Sequence, residues 1–173
     1  MKTQLKSLTL QFICACLLAS VSAAQEASSS IGLYPAHATI SGTSPRYISG
    51  LIKGWNDPQD CIKWTAKIAN PGIYNVILEY IAVAPKPGSL VEVAVGNQGA
   101  QGRLQSCENW NVKSACTLYL GQVKIDKAGE VPINVSVLDK KGEYVMDLRS
   151  VRLDPTGETI FRDLPKKAVH PAF

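Results

Sequence analysis

Glu79 and Glu92 fall in apolar runs that read as strands, and Asp57 and Asp60 fall together in one loop. A glycoside hydrolase needs two carboxylates facing each other across a cleft at a defined separation. No such pairing follows from these positions, and solvated surface charge accounts for them. Cys61 as a nucleophile requires a histidine base. The two histidines, His37 and His170, are distant from it along the chain, and neither combines with the cysteines at zinc-site spacing. Gly-x-Ser-x-Gly, His-Glu-x-x-His and P-loop patterns are absent from the sequence. The expectation is a protein that is not an enzyme and carries no cofactor. Asn134-Val135-Ser136 matches the N-glycosylation acceptor, but it falls on a strand-like run. The side chains left to account for are Trp55, in a loop rich in Gly, Asn, Asp and Pro, and Trp110, in a polar loop. A tryptophan exposed on a loop is costly unless it contacts something. The alternative is that each ring caps the end of the core.

The elements that position these residues begin after the N-terminus. Lys2 and Lys6 precede a largely apolar run from Leu8 to Val21, followed by Ser22-Ala23-Ala24. This is the pattern of a secretory signal cleaved after Ala23 or Ala24. The Ile13-Cys14-Ala15-Cys16 segment offers a second reading, lipid attachment at Cys16. Removing residues 1–24 lowers the formal net charge from +4 to +2. That is no footprint for a nucleic acid. No run of apolar residues is long enough to span a membrane. The expected localisation is secreted or periplasmic, where disulfides form. Of the remaining cysteines, Cys107 and Cys116 flank a short polar segment and are the natural pair, although a pair involving Cys61 stays open.

Residues 25–30 read as a flexible leader and 31–155 as one folded domain. Ile62-Lys63-Trp64-Thr65-Ala66-Lys67-Ile68 alternates with period two, which places Trp64 in the core. Asn70-Pro71-Gly72 is a turn. Tyr74, Val76, Leu78 and Tyr80 line one face of the next run, which Pro85-Lys86-Pro87-Gly88 ends. Leu90–Val95, Thr117–Ile125, Val131–Val137 and Tyr144–Leu153 are further strands, and 96–111 is a long loop or a weak strand with a loop. Gly121 marks a bulge. A second bulge near Arg149 reconciles the even parity of Met146 and Leu148 with the odd parity of Val151 and Leu153. No segment has a helical period. Many short strands with little helix predict an all-β antiparallel sandwich of jelly-roll type. Residues 156–173, with Pro165 and Pro171, form an irregular tail.

The run Gly54-Trp55 … Asp60-Cys61-Ile62-Lys63-Trp64 … Pro71-Gly72-Ile73-Tyr74-Asn75-Val76 resembles the signature of galactose-binding-like β-sandwiches. Trp110, Leu120-Gly121-Gln122-Val123 and Met146-Asp147-Leu148-Arg149-Ser150-Val151 extend the likeness across roughly residues 33–155. This group includes the family 6 and family 35 carbohydrate-binding modules and accessory modules of bacterial α-L-fucosidases. The resemblance implies a glycan held at the loop end of the sandwich between two aromatic rings, by position Trp55 and Trp110. A pyranose packs its C–H face on such a ring, and its hydroxyls need fixed polar partners. Asp147 stands where the group usually has an Asn bonding a sugar hydroxyl, and a carboxylate accepts the same bond. Arg149 follows on the same face unless the bulge intervenes, and it would pair with Asp147 or meet an acidic sugar. Many of these modules also hold a structural calcium through acids of the first strand. Leu33–Gly42 has no acid here, so no calcium is expected, and His37 reads as a surface strand residue. The expected function is a non-catalytic module whose partner is a glycan or polysaccharide. The alternative is a protein-interaction or structural subunit that docks a protein partner through its tail.

Overall fold

Strict alternation in the sequence becomes alternation of burial in the structure. In β5 (Cys61–Ile68) the side chains of Ile62, Trp64, Ala66 and Ile68 are buried, while Lys63, Thr65 and Lys67 face solvent. The same physics sets β7 (Leu90–Val95) and β10 (Gly129–Asp139), whose valines and Ile133 point inward. β-branched side chains suit this half-buried, pleated surface. The computed structural model describes residues 29–82, 88–107 and 115–156. The signal at 1–24, most of the 25–30 leader, the Pro85-Lys86-Pro87 turn, Trp110 and the tail beyond Thr156 lie outside the described residues.

The strands are β1 (Ile31–Leu33), β2 (Thr39–Ser41), β3 (Arg46–Ile48), β4 (Leu51–Lys53), β5, β6 (Gly72–Ile81), β7, β8 (Gln98–Arg103), β9 (Cys116–Ile125), β10 and β11 (Asp147–Pro155). All pairings are antiparallel. One sheet runs β3-β4-β11-β6-β9, with β1 also on β11; the other runs β2-β5-β10-β7-β8. The core lies between the sheets, where Ile52, Ile62, Tyr74, Leu78, Tyr80, Ile133, Met146, Leu148 and Leu153 are fully buried. Each such side chain contributes about 1.5–3 kcal/mol of transfer free energy. The all-β antiparallel sandwich expected from the strand pattern is the fold observed.

Both expected bulges are present. In β11, Leu148 pairs with Tyr80 and Ser150 with Glu79, so Arg149 is the extra residue. In β9, Gly121 pairs with Val76 and Tyr119 with Ile77, so Leu120 is extra, and Gly121 sits at φ 139°, where a side chain would be strained. Each bulge restores inward orientation to the apolar residues beyond it.

One expectation is corrected and one open alternative is decided. His37 does not lie on a strand: Pro35–His37 forms a single 3-10 turn between β1 and β2, with proline at its start fixing φ. Of the two readings of the Gly-rich stretch after Val95, a long loop or a weak strand with a loop, the second holds: it contains the strand β8. It pairs with β7 across a two-residue turn at Gly96, whose φ of 60° the hairpin requires. Tertiary pairing with β7 outweighs the weak strand propensity of Gln98–Arg103.

Candidate functional site

Strand polarity gathers the connections β2–β3, β4–β5, β8–β9 and β10–β11 at one end of the sandwich. β11 begins at Asp147 opposite the end of β6 at Ile81, and β6 ends beside the start of β9, Tyr80 opposite Cys116. The Val145 amide donates to the Trp55 carbonyl at 2.9 Å, joining the β10–β11 segment to the β4–β5 loop. The Cys107 amide donates to the Ala82 carbonyl at 2.9 Å. Cys107 and Cys116 form a disulfide with a Cα–Cα distance of 5.6 Å, and Cys61 is a free, half-buried thiol. The pairing read from spacing is the one present. It brackets the segment that carries Trp110.

Asp60 organises this end. Its carboxylate accepts from the amides of Thr43 at 3.0 Å and Ser44 at 3.1 Å, and from the Ser44 hydroxyl. Ser44 Oγ in turn accepts from the amides of Asn56 at 3.0 Å and Asp57 at 3.1 Å. One carboxylate and one hydroxyl thus tie the β2–β3 loop to the β4–β5 loop. Gly42, at φ 127°, is needed beneath it, because a Cβ there would stand 1.7 Å from Asp60 Oδ1. Burial alone would push the Asp60 carboxyl up. The Ser44 hydroxyl, the Ser44 and Thr43 amides and the nearby Arg46 together outweigh burial and hold it below its usual 3.8. Asp60 is therefore a structural clamp, which corrects its reading as a solvated surface charge.

The clamp decides the fate of Trp55. Its side chain is 0% exposed and its indole N–H donates to the Asp57 carbonyl at 3.1 Å. Gly54 at φ 73° turns the chain into the loop, and the ring goes into the core instead of standing on the surface. The expectation of an exposed Trp55 ring is thus overturned. A buried aromatic of this size gains more from the core than a solvated loop could return. Trp64 is buried as expected, its N–H donating to the Tyr34 carbonyl at 3.0 Å.

Asp147 does reach this end, but it is 5% exposed and accepts a hydrogen bond on Oδ1 from the Tyr144 hydroxyl. Arg149 is the bulged residue, half-buried and partnered. The extra residue takes it out of simple alternation with Asp147. Sequence reading missed Tyr144 and the Ser44–Asp60 clamp. Tyr144 was read as the first residue of a strand that in fact begins at Asp147, and Ser44 is sixteen residues from its partner.

Burial, then the hydrogen bond to Asp147 and its charge, push the Tyr144 phenol well above its usual 10.0. Tyr144 therefore remains a donor at any physiological pH. A phenol whose folded pKa is raised contributes stability that is complete below the unfolded value and is lost as pH rises above it. Thermal stability of the protein is expected to fall as pH rises beyond 10, and Tyr144→Phe to remove much of that fall. Melts followed by circular dichroism across that range check it; an unchanged alkaline limb in the variant would show that Tyr144 does not titrate with unfolding.

The other acids have local partners. Glu79 Oε1 pairs with Arg152 at 3.3 Å, and Glu92 accepts from Gln101 Nε2 at 2.9 Å. Among the described residues no group of three His, Cys, Asp or Glu side chains could hold a metal, and no helix is long and apolar enough to cross a membrane.

The structure is similar to a family 35 carbohydrate-binding module from Clostridium thermocellum, with a TM-score of 0.59 and 12% identity over 74% of this chain and 99% of that one. It is similar to the GH26-CBM35 β-(1,4)-mannanase of Podospora anserina, with a TM-score of 0.56 and 20% identity over 75% of this chain. It is also similar to the mosquito-larvicidal Cry4Aa toxin of Bacillus thuringiensis, with a TM-score of 0.62 and 14% identity over 74% of this chain. The chain spans 28% of the mannanase and 24% of the toxin. These likenesses show a shared fold. No curated protein matches in sequence. The sequence profile of the family described as "Domain of unknown function (DUF5077)" matches residues 40–158. The chain therefore belongs to the DUF5077 family and has the antiparallel β-sandwich fold of these structures.

Proposed function

We propose that the protein is an exported, non-catalytic carbohydrate-binding module, with residues 1–24 as its signal, 31–155 as the binding domain and a glycan held at the loop end. The observation that carries this reading is the convergence at that end of the Tyr144–Asp147 pair and the bulged Arg149, on a fold shared with family 35 modules. Asp147 Oδ1 is oriented by Tyr144, and its carboxylate remains an acceptor for a sugar hydroxyl. Tyr144, half-buried, replaces Trp55 as an aromatic edge of the site, and Trp110 is proposed as the second ring. Arg149 adds a cationic donor suited to a uronic acid or a ring oxygen.

The test is affinity electrophoresis of the full chain through gels containing soluble xylan or galactomannan, after a glycan-array survey. Retardation by at least one polysaccharide is expected, with Asp147→Ala and Trp110→Ala each weakening it about tenfold. A folded protein that no glycan on the array retains would overturn the reading.

Two observations favour a second reading. Trp55 is buried, and buried rings suit a scaffold. In addition, Arg46, Tyr47 and Ile48 are all exposed on the edge strand β3. An interaction subunit of an exported complex, with the 156–173 tail engaging a protein, would use the same sandwich. A blank array followed by tail-dependent capture of one defined envelope protein would establish it.

A further inference from the structure

An open sandwich has edges, where the outer N–H and C=O groups of a strand are free to pair with another chain. One side of this sandwich is closed. Gln98 of β8 lays its side-chain amide along β9: its Nε2 donates to the Lys124 carbonyl at 2.6 Å, and its Oε1 accepts from the Lys124 amide at 2.9 Å. Gly102 of β8 lies so close to β9 that a Cβ there would stand 2.5 Å from Leu120 Cδ2. The other side of the larger sheet ends in β3, which pairs with β4 alone. Arg46, Tyr47 and Ile48 are all exposed there, Tyr47 by 52% and Ile48 by 49%.

Register fixes what this edge presents. Arg46 stands opposite Lys53, Tyr47 opposite Ile52 and Ile48 opposite Leu51. Cross-strand partners share a face, so Arg46, Lys53 and Ile48 lie on one face and Tyr47 on the other, with Ile52. The two-residue turn at Ser49 and Gly50, with φ of 51° and 83°, makes the flanking Ile48–Leu51 pair hydrogen-bonded. Alternation then turns the Tyr47 N–H and C=O away from β4. Two cations directly opposite repel, and the ion pairs among the described residues include neither Arg46 nor Lys53. Asp60, the acid that feels Arg46, is already held by Thr43 and Ser44. Charges commonly guard an edge against aggregation. An exposed tyrosine and isoleucine beside them do the opposite, and the combination suits recognition.

The sign of the charge selects the occupant. A second copy set antiparallel on β3 would bring Arg46 and Lys53 towards their own copies. The ends of the chain have the wrong sign: residues 157–173 carry Arg162, Lys166 and Lys167 against Glu158 and Asp163, and residues 1–28 carry Lys2 and Lys6 against Glu26. A membrane-surface element gathers its apolar side chains on one face, whereas Tyr47 and Ile48 point to opposite faces. An extended acidic segment of another protein satisfies the whole edge. Its backbone pairs with Tyr47, its carboxylates neutralise Arg46 and Lys53, and its apolar side chains cover the exposed ring.

We propose that β3 is the docking edge for an acidic, extended segment of a partner protein, which adds as a strand beside Tyr47 and sets its carboxylates against Arg46 and Lys53. The proposal rests on the interaction-subunit reading for its class of partner and takes nothing from the glycan site.

The probe is a fluorescein-labelled peptide of alternating glutamate and valine, titrated with the full chain and read by fluorescence anisotropy. Two control peptides replace every glutamate by glutamine, or every second valine by proline, which cannot donate to a strand ladder. The glutamate peptide is expected to bind, and a rise in salt from about 0.05 to about 0.5 M to weaken it about tenfold. Each control peptide is expected to bind about tenfold more weakly. Arg46→Gln/Lys53→Gln and Tyr47→Ala are each expected to cost about tenfold as well, with melting curves verifying that both fold. Equal binding of either control peptide overturns the acidic strand, whatever the variants do. Binding that both variants leave unchanged overturns its location at β3. Phosphatidylglycerol vesicles that retain wild type but not Arg46→Gln/Lys53→Gln, with no peptide bound, overturn the proposal in favour of a lipid surface. A concentration-dependent dimer that Tyr47→Ala abolishes overturns it in favour of a second copy. No peptide bound, alongside capture of one defined envelope protein that depends on residues 157–173, overturns the edge and leaves the interaction reading standing.

Discussion

Trp55→Ala is expected to destabilise the protein by about 3–5 kcal/mol, the range for truncating a large buried aromatic. The ring is wholly inside and its N–H is bonded to Asp57, so the variant leaves a cavity and an orphaned carbonyl together. Trp55→Phe is expected to cost less, because it keeps most of the apolar volume and loses only the N–H donor. Urea denaturation of the three proteins gives the comparison. A surface tryptophan serving as a sugar platform behaves differently: its removal changes stability by less than about 0.5 kcal/mol and abolishes binding. A Trp55→Ala protein as stable as wild type would return Trp55 to the surface and reinstate it as a ligand residue. Binding lost only in proportion to unfolding confirms its place in the core.

Asp60→Ala is expected to produce the second-largest loss, on the order of 3 kcal/mol, since it strands the Thr43 and Ser44 amides and the Ser44 hydroxyl at once. Asp60→Asn keeps one acceptor oxygen and is expected to fall between the variant and wild type. The pH dependence separates the charge from the packing. The Asp60 carboxyl is depressed below 3.8 in the folded protein. Its contribution is therefore complete above the unfolded value and disappears as pH falls through the folded one. The stability gap between wild type and Asp60→Ala is expected to be constant near neutrality and to close below 3.8. Denaturant midpoints measured at a series of acidic pH values read this directly. A gap that persists in acid would mean that the clamp acts through packing and not through the carboxylate.

In the proposed site, the clamp would hold the β2–β3 and β4–β5 loops beside the segment that carries Tyr144 and Asp147. Its two halves are brought together by β2 pairing with β5, Ser41 opposite Cys61. Val145 then docks on the Trp55 carbonyl. Loops hold side chains in place only when a rigid scaffold supports them, and here hydrogen bonds to a single buried carboxylate tie two loops together.

The strands that carry a strict two-residue period were legible in the amino-acid order, as were both bulges. A period-two pattern has only one way to bury its apolar half, and a change of parity at Arg149 or a glycine at Gly121 admits only an extra residue. The Cys107–Cys116 pairing was legible for a related reason: a short separation leaves few alternatives. The short strands β1 to β4 were not legible, and β8 was legible only as one of two readings. Their residues gain their conformation from neighbours distant in the chain, as Gln98–Arg103 does from β7. The site was least legible of all. Whether Trp55 faces solvent or core depends on Ser44 and Asp60, and whether the Asp147 carboxylate stands free depends on Tyr144. Those are choices between hydrogen bonds and burial that only the packed loops make. Periodicity determined an all-β sandwich; the tertiary structure decided which side chains at its loop end are buried, because burial is a property of the whole fold and not of any residue in it.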